Sequence, residues 1–241
     1  MKNTHRAWIA AALLAAACPA AAKEIDLLGT LTQAEFRSLS EDLGSALSYK
    51  PLAPTAPLGL LGFDIGVGVT GTKLHHQDLF NKASSQGNFP ATLVVPSLRA
   101  VKGLPFNFDI GLTYSPVPDS NVRMWGGALS WAFVSGNVAM PAIGVRASYT
   151  QLSGVNQLDF STVGGDISIS KGFGPFTPYG GVGRNYVSST PNSTTSLRPE
   201  EFGQNKVFAG LNFNVLLMNL AVEWDRTGFA NTYGAKLGLR F

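Results

Sequence analysis

The last eleven residues, Asn231 to Phe241 (NTYGAKLGLRF), constrain the fold of this chain more than any other stretch. Tyr233, Ala235, Leu237, Leu239 and Phe241 fall on one parity; Thr232, Gly234, Lys236, Gly238 and Arg240 fall on the other. Alternation with period two describes an extended strand with one apolar and one polar face. An open edge of this kind invites pairing with other chains. A sheet closed on itself removes the edge, and lipid against its outer wall covers the apolar face.

The rest of the chain supplies the partners such a strand needs. From Leu58 onward the period stays at two. The first strand sets Phe63, Ile65, Val67 and Val69 against Asp64, Gly66, Gly68 and Thr70. The second, over about 92–102, is irregular. A β-bulge at Pro96 brings Leu93, Val95, Leu98 and Ala100 to one outer face, and bulges tolerate proline. The third alternates from Phe106 through Phe108, Ile110 and Leu112 to Tyr114. Seven more segments follow, around 124–133, 143–150, 162–169, 176–188, 206–215, 220–225 and 231–241. The count is about ten, within a range of roughly eight to twelve, and an even number suits an up-and-down barrel. The expected class is all-β: a transmembrane antiparallel barrel at 58–241 with a short N-terminal helix.

Composition agrees with alternation. Hydrophobic residues make up 45 % of the chain and charged ones 14 %, with 27 glycines. Beyond the N-terminal leader, no apolar run reaches the length of a membrane helix. The net charge of +3, with no Lys/Arg cluster, gives no sign of nucleic acid.

The N-terminus carries a basic start, an apolar run from Ala7 to Cys18 and a small-residue site at Ala20–Ala22. That pattern predicts a secretory signal peptide over 1–22, cleaved after Ala22. Lipidation of Cys18, the one cysteine, is the alternative; Ala15 stands where such signals carry a larger apolar residue. Residues 23–57 follow another pattern. Thr32-Gln-Ala-Glu35 is a capping box, with Phe36, Leu39, Leu43 and Leu47 at helical spacing behind it. A stiff Pro-rich linker then runs to Pro57. The favoured placement is outside the barrel, as a periplasmic helix that caps the mouth or lies at the interface; a plug inside the lumen over 32–48 is the alternative.

Loop lengths and aromatics set the polarity. Connections after even-numbered strands are tight, whereas 73–91 and 189–203 are longer and polar. Tyr114, Trp125, Tyr149, Tyr186, Trp224 and Tyr233 gather at the long-loop ends; Phe63, Phe106, Phe133, Phe176 and Phe241 gather at the other. Such belts fit the two interfaces of a bilayer. The expected lumen charges are Asp64, Asp109, Asp166, Glu223 and Asp225 against Arg99, Arg146, Lys206, Lys236 and Arg240. Paired charges of both signs, with inward glycines leaving room, read as a narrow hydrophilic pore or as a salt-bridged filling. Arg123, Lys171 and Arg184 share the outward parity at strand ends, where a long stem reaches water.

The closing segment resembles the C-terminal signal strand of bacterial outer-membrane β-barrels, which ends in Phe behind alternating apolar residues. With the segment 58–241, the resemblance reaches small OmpA/OmpW-like barrels in general. It implies a Gram-negative outer-membrane protein contacting lipid and lipopolysaccharide and delivered to the barrel-assembly machinery through its last strand. The expected activity is passive passage of small polar or amphipathic solutes; the rival is a non-conducting structural or surface-binding barrel. Neither cofactor nor metal is expected. An enzyme is not expected either: only His75 and His76 lie beyond the leader. A helix followed by a His-bearing loop faintly resembles outer-membrane palmitoyltransferases, with Asp119-Ser120 as the one weak acid–nucleophile candidate. A soluble barrel of lipocalin type is disfavoured because the outer faces are uniformly apolar.

Overall fold

A computed structural model describes residues 25–116, 122–192 and 196–241. The expected signal peptide and Cys18 lie outside the described residues. Ten strands form one closed antiparallel barrel: β1 (Phe63–Lys73), β2 (Thr92–Gly103), β3 (Phe108–Pro116), β4 (Arg123–Val134), β5 (Ala142–Ser153), β6 (Leu158–Ser170), β7 (Phe176–Pro191), β8 (Glu200–Val215), β9 (Met218–Thr227) and β10 (Ala230–Arg240). Each strand pairs with its sequence neighbours, and β10 returns to β1 with Asp64 opposite Arg240 and Thr72 opposite Thr232. Exposure alternates residue by residue, most cleanly along β6. The alternation is the sequence period made physical, since successive side chains point to opposite faces.

Three local expectations are corrected. The β1–β2 register runs unbroken from Phe63–Lys102 to Lys73–Thr92, so there is no bulge at Pro96. Leu98 and Ala100 lie opposite the outward Val67 and Ile65, but Val95 and Leu93 lie opposite the inward Thr70 and Thr72. Pro96 needs no bulge because β3 pairs with β2 only from Leu98 onward, leaving that edge without a ladder to lose. Phe106 is not in β3: Pro105–Asn107 forms a 3-10 turn with Phe106 and Asn107 at positive φ. Finally, β7 and β8 extend into the expected loop 189–203, reducing it to 192–199.

The helix, α1 (Gln33–Leu47), starts at the expected capping box: Glu35 N–H donates to Thr32 and Thr32 N–H donates to Glu35. It does not lie outside the barrel. It sits inside, at the long-loop end, and residues 49–58 continue down the lumen to the turn before β1. The favoured outside placement gives way to the plug, for a reason visible in the wall. Met124, Leu158, Phe160, Val187 and Phe202 project inward near the long-loop ends of their strands, with Leu93, Val95 and Leu152 beside them. These apolar side chains form a core with Phe36, Leu39, Leu43 and Leu47 of α1 and with Leu79 and Phe80 of α2 (Gln77–Lys82) in the first long loop. Left in water, that inward apolar surface would be unfavourable; the helix buries it.

A filled interior changes what a charge would cost on either face. Arginine at Leu211, 40 % exposed on the outer wall, should cost about 2–4 kcal/mol if lipid surrounds the barrel. The sequence alone suggests that arginine at Asn212 is milder. Asn212 is fully buried and accepts a 2.7 Å hydrogen bond from Asn219. With no room for the larger side chain, Asn212→Arg is expected to be at least as damaging as Leu211→Arg. Parallel urea titrations of the refolded variants check both; equal, small effects would contradict the packing.

Candidate functional site

The site that distinguishes this barrel is its occupied lumen. An extended Pro-rich segment has backbone groups that no helix or sheet satisfies, and Pro51, Pro54 and Pro57 have no N–H to donate. Bare carbonyls therefore dominate, and the wall answers with cations. Lys206 Nζ donates to the Tyr49 carbonyl at 2.8 Å, Arg99 Nη2 to the Pro51 carbonyl at 3.1 Å and to that of Lys50, and Arg240 Nη2 to the Ala56 carbonyl at 3.5 Å. The linker amides find acids and hydroxyls instead. Leu52 N–H donates to Glu223 at 2.8 Å, Ala56 N–H to Ser170 at 3.1 Å and Leu58 N–H to Asp109 at 3.1 Å.

One charge comes from the segment itself. Lys50 Nζ meets Asp225 at 2.7 Å, with both side chains buried, and Lys206 approaches the other Asp225 oxygen at 3.8 Å. Tyr179 donates to Glu223 at 2.9 Å. Toward the short-turn end, Lys236 Nζ lies 2.6 Å from Asp64, with Arg240 at 3.8 Å from the same carboxylate. Arg146 stands 3.8 Å from Asp166 and donates from Nε to Ser130 at 3.2 Å. All ten expected lumen charges thus project inward. Eight are buried, and Asp109 and Arg240 are partly so. Most bind the segment or each other, and a cavity of about 40 Å³ lies beside Tyr49, Thr55, Asp109 and Arg146.

Some of the inward glycines leave room for the segment, while others, such as Gly66 and Gly183, lie against neighbouring strands. A Cβ at Gly111 would stand 2.8 Å from the Tyr49 hydroxyl, and one at Gly234 would stand 2.8 Å from the Leu52 side chain. In α1, a Cβ at Gly44 would press within 2.7 Å of Val187, so the helix approaches the wall closely only because this residue has none.

At the long-loop end the helix is clasped to the first loop. Asp42 accepts from the backbone N–H groups of His75 and His76 at 2.9 and 2.7 Å. Burial pushes the Asp42 carboxyl up, opposed by those N–H groups and by the two histidines. Glu35 binds Lys82 at 2.8 Å, which with its capping role holds it down to about 2. Gln33 and Arg37 both reach Glu200 at the start of β8. The two histidines therefore serve a structural clasp through their backbone. Asp119-Ser120 lies outside the described residues. Among the described residues no cluster of three metal-ligating side chains exists.

The outer wall carries the expected aromatics. Tyr114, Trp125, Tyr149, Tyr186 and Tyr233 are exposed near the long loops, and Trp224 is partly so, donating to Asn231 at 3.2 Å. Phe63 stacks on Phe241 at 5.9 Å, Phe133 and Phe176 are exposed at the short-turn end, and Phe106 stands on the turn. Trp131 departs from the sorting: it lies at the short-turn end, stacked on Phe108 at 5.8 Å. What sequence reasoning missed was the segment's partners, Tyr179, Lys50 and the inward apolar cluster. The signal was there in parity: Met124, Phe160, Val187 and Phe202 fall on lumen positions, where a water-filled pore has no use for them.

No curated protein matches the chain. The solved structures to which it is similar include small outer-membrane β-barrels. The N-terminal β-barrel domain of Pseudomonas aeruginosa OprF is 11 % identical, with 76 % of this chain and 99 % of that one covered and a TM-score of 0.40. The attachment invasion locus protein Ail of Yersinia pestis is 14 % identical over 75 % of this chain and 98 % of its own, at 0.34. Neisserial surface protein A is 8 % identical over 74 % and 94 %, at 0.30. Residues 67–241, from within β1 to the residue just past β10, match the family of unknown function DUF6588, and the chain belongs to that family.

Proposed function

We propose that this protein is a bacterial outer-membrane barrel kept shut by its own N-terminal segment, a non-conducting barrel that works through its long-loop surface. Its leader, residues 1–22, serves export, and the long loops face outward. The observation that carries the reading is the packing of α1: Phe36 and Leu39 are fully buried against the inner wall, and Leu43 and Leu47 nearly so. Returning a buried side chain of that size to water costs about 1.5–3 kcal/mol. Four of them make spontaneous release of the helix rarer than about one molecule in ten thousand, at a factor of ten per 1.4 kcal/mol. Passive solute passage, the activity favoured by the sequence, asks for an open path, and the filled lumen weighs toward its rival. Residues 26–37, 74–91 and 198–202 form the compact surface that remains for binding.

Planar-bilayer recording tests this. The intact protein is expected to stay silent, and a variant lacking residues 26–56 is expected to conduct, since the wall beneath is lined by charges. Discrete openings from the intact protein would overturn the closed-barrel reading.

A further inference from the structure

The short-turn end ends in a rim that is unusual for a surface facing water. Every connection there exposes a large apolar side chain: Leu61 at 85 %, Phe106 at 86 %, Val138 at 99 %, Phe173 at 60 % and Leu216 at 96 %. Two of these occupy positions that normally exclude them. Phe106 has φ 61° and Leu216 has φ 54°, a left-handed conformation that favours glycine or asparagine in tight turns. Turn chemistry does not explain a phenylalanine and a leucine there. Charge points the same way. The connecting segments 59–62, 104–107, 135–141, 171–175 and 216–217 contain no Asp or Glu. The outward cations at this edge are Lys171, which grips the Asn137 and Val138 carbonyls at 3.0 and 2.6 Å, and Lys102, which holds the Leu60 and Gly62 carbonyls at 2.5 and 3.3 Å and lies 4.6 Å from the Phe63 ring.

We infer that this rim is inserted into a leaflet of acidic phospholipid, the apolar tips entering the acyl boundary while Lys102 and Lys171 meet the phosphates. The inference rests on the outer-membrane reading above. The rim adjoins the outward wall of Phe63, Phe133, Phe176 and Phe241, with only the two lysines and uncharged polar residues such as Ser135 and Asn137 between them, so one lipid layer covers both. An ammonium with a third N–H beyond its carbonyl contacts is a point donor for a phosphate oxygen. Anionic headgroups draw juxtamembrane lysines in the same sense.

The test uses nitroxide labels on single cysteines in the full chain carrying Cys18→Ala, reconstituted into phosphatidylcholine vesicles with and without phosphatidylglycerol. Leu211→Cys reports the wall, Ser85→Cys the long-loop side, and Leu216→Cys and Val138→Cys the rim. The rim labels are expected to be open to oxygen and closed to a water-soluble nickel chelate, as at Leu211 and unlike Ser85. Rim labels open to the chelate while Leu211 stays closed would overturn the inference, leaving the rim as a docking surface for a soluble protein or a second copy. If Leu211 too is open to the chelate, the membrane reading itself fails. For the headgroup half, the intact chain is expected to enrich spin-labelled phosphatidylglycerol over phosphatidylcholine, and Lys102→Gln with Lys171→Gln to abolish the enrichment. Equal enrichment in both, or none in either, refutes the lysine contacts.

Discussion

Phe36→Ala is expected to lower folding stability by about 3–5 kcal/mol, the usual cost of removing a large side chain from a packed core. Phe36 is fully buried between α1 and the inner wall, where the inward apolar side chains cannot collapse into the space because the barrel holds their backbones apart. Urea titration of the refolded protein measures it, with Leu27→Ala, at a 40 % exposed site on the same segment, as the control. A loss at Phe36 no larger than at Leu27 would mean that the helix is an ornament of the barrel and not part of its core.

Lys50→Met should be comparably damaging. It removes the 2.7 Å partner of a buried Asp225, and breaking such a pair from one side costs about 3–5 kcal/mol. Lys206, at 3.8 Å from the other oxygen, brings the value toward the lower end. The discriminating measurement is the double variant Lys50→Met with Asp225→Asn, which no longer buries a lone charge and should recover much of the loss. A double variant as unstable as the single would locate the damage in packing rather than charge.

The barrel was legible because period two is a strong signal: the strands and the inward direction of the charges such as Asp64 and Lys236 follow from parity alone. Closure of the last strand on the first also makes Asp64 the expected partner of Lys236 and Arg240, and both lie against it. The other partners, such as Lys50 for Asp225, stay hidden because register across a sheet is set by turns that the pattern does not encode. The plug was the larger failure. Its helix was recognisable from Thr32-Gln-Ala-Glu35, but an amphipathic helix announces only that one face needs covering, not what covers it. The complementary half of the message sat elsewhere, in Val187, Phe202 and the pair Leu93 and Val95. A bulge at Pro96 placed that pair on the outer face; its inward parity is the same evidence, since Leu93 and Val95 pack on the core that α1 completes. The Pro-rich linker likewise looked like a spacer, when its backbone is a strip of carbonyl acceptors for Arg99, Lys206 and Arg240.

The route of residues 49–58 makes the molecule a ring on an axle. One end of the axle is tied to the ring itself, through the turn into β1; the other carries a stopper, a helix about 10–12 Å across. With the β1–β10 seam zipped, the folded stopper cannot follow the axle past the layer where Lys50 and Asp225 close the bore. Were the stopper to lift away on its own side, the axle would still fill the bore, so losing the helix alone does not open a path. The arrangement is undone sideways, by parting β1 from β10, or endwise by a chain already unfolded. Making it faces the same choice, so the ring closes around an axle already in place or receives it unfolded.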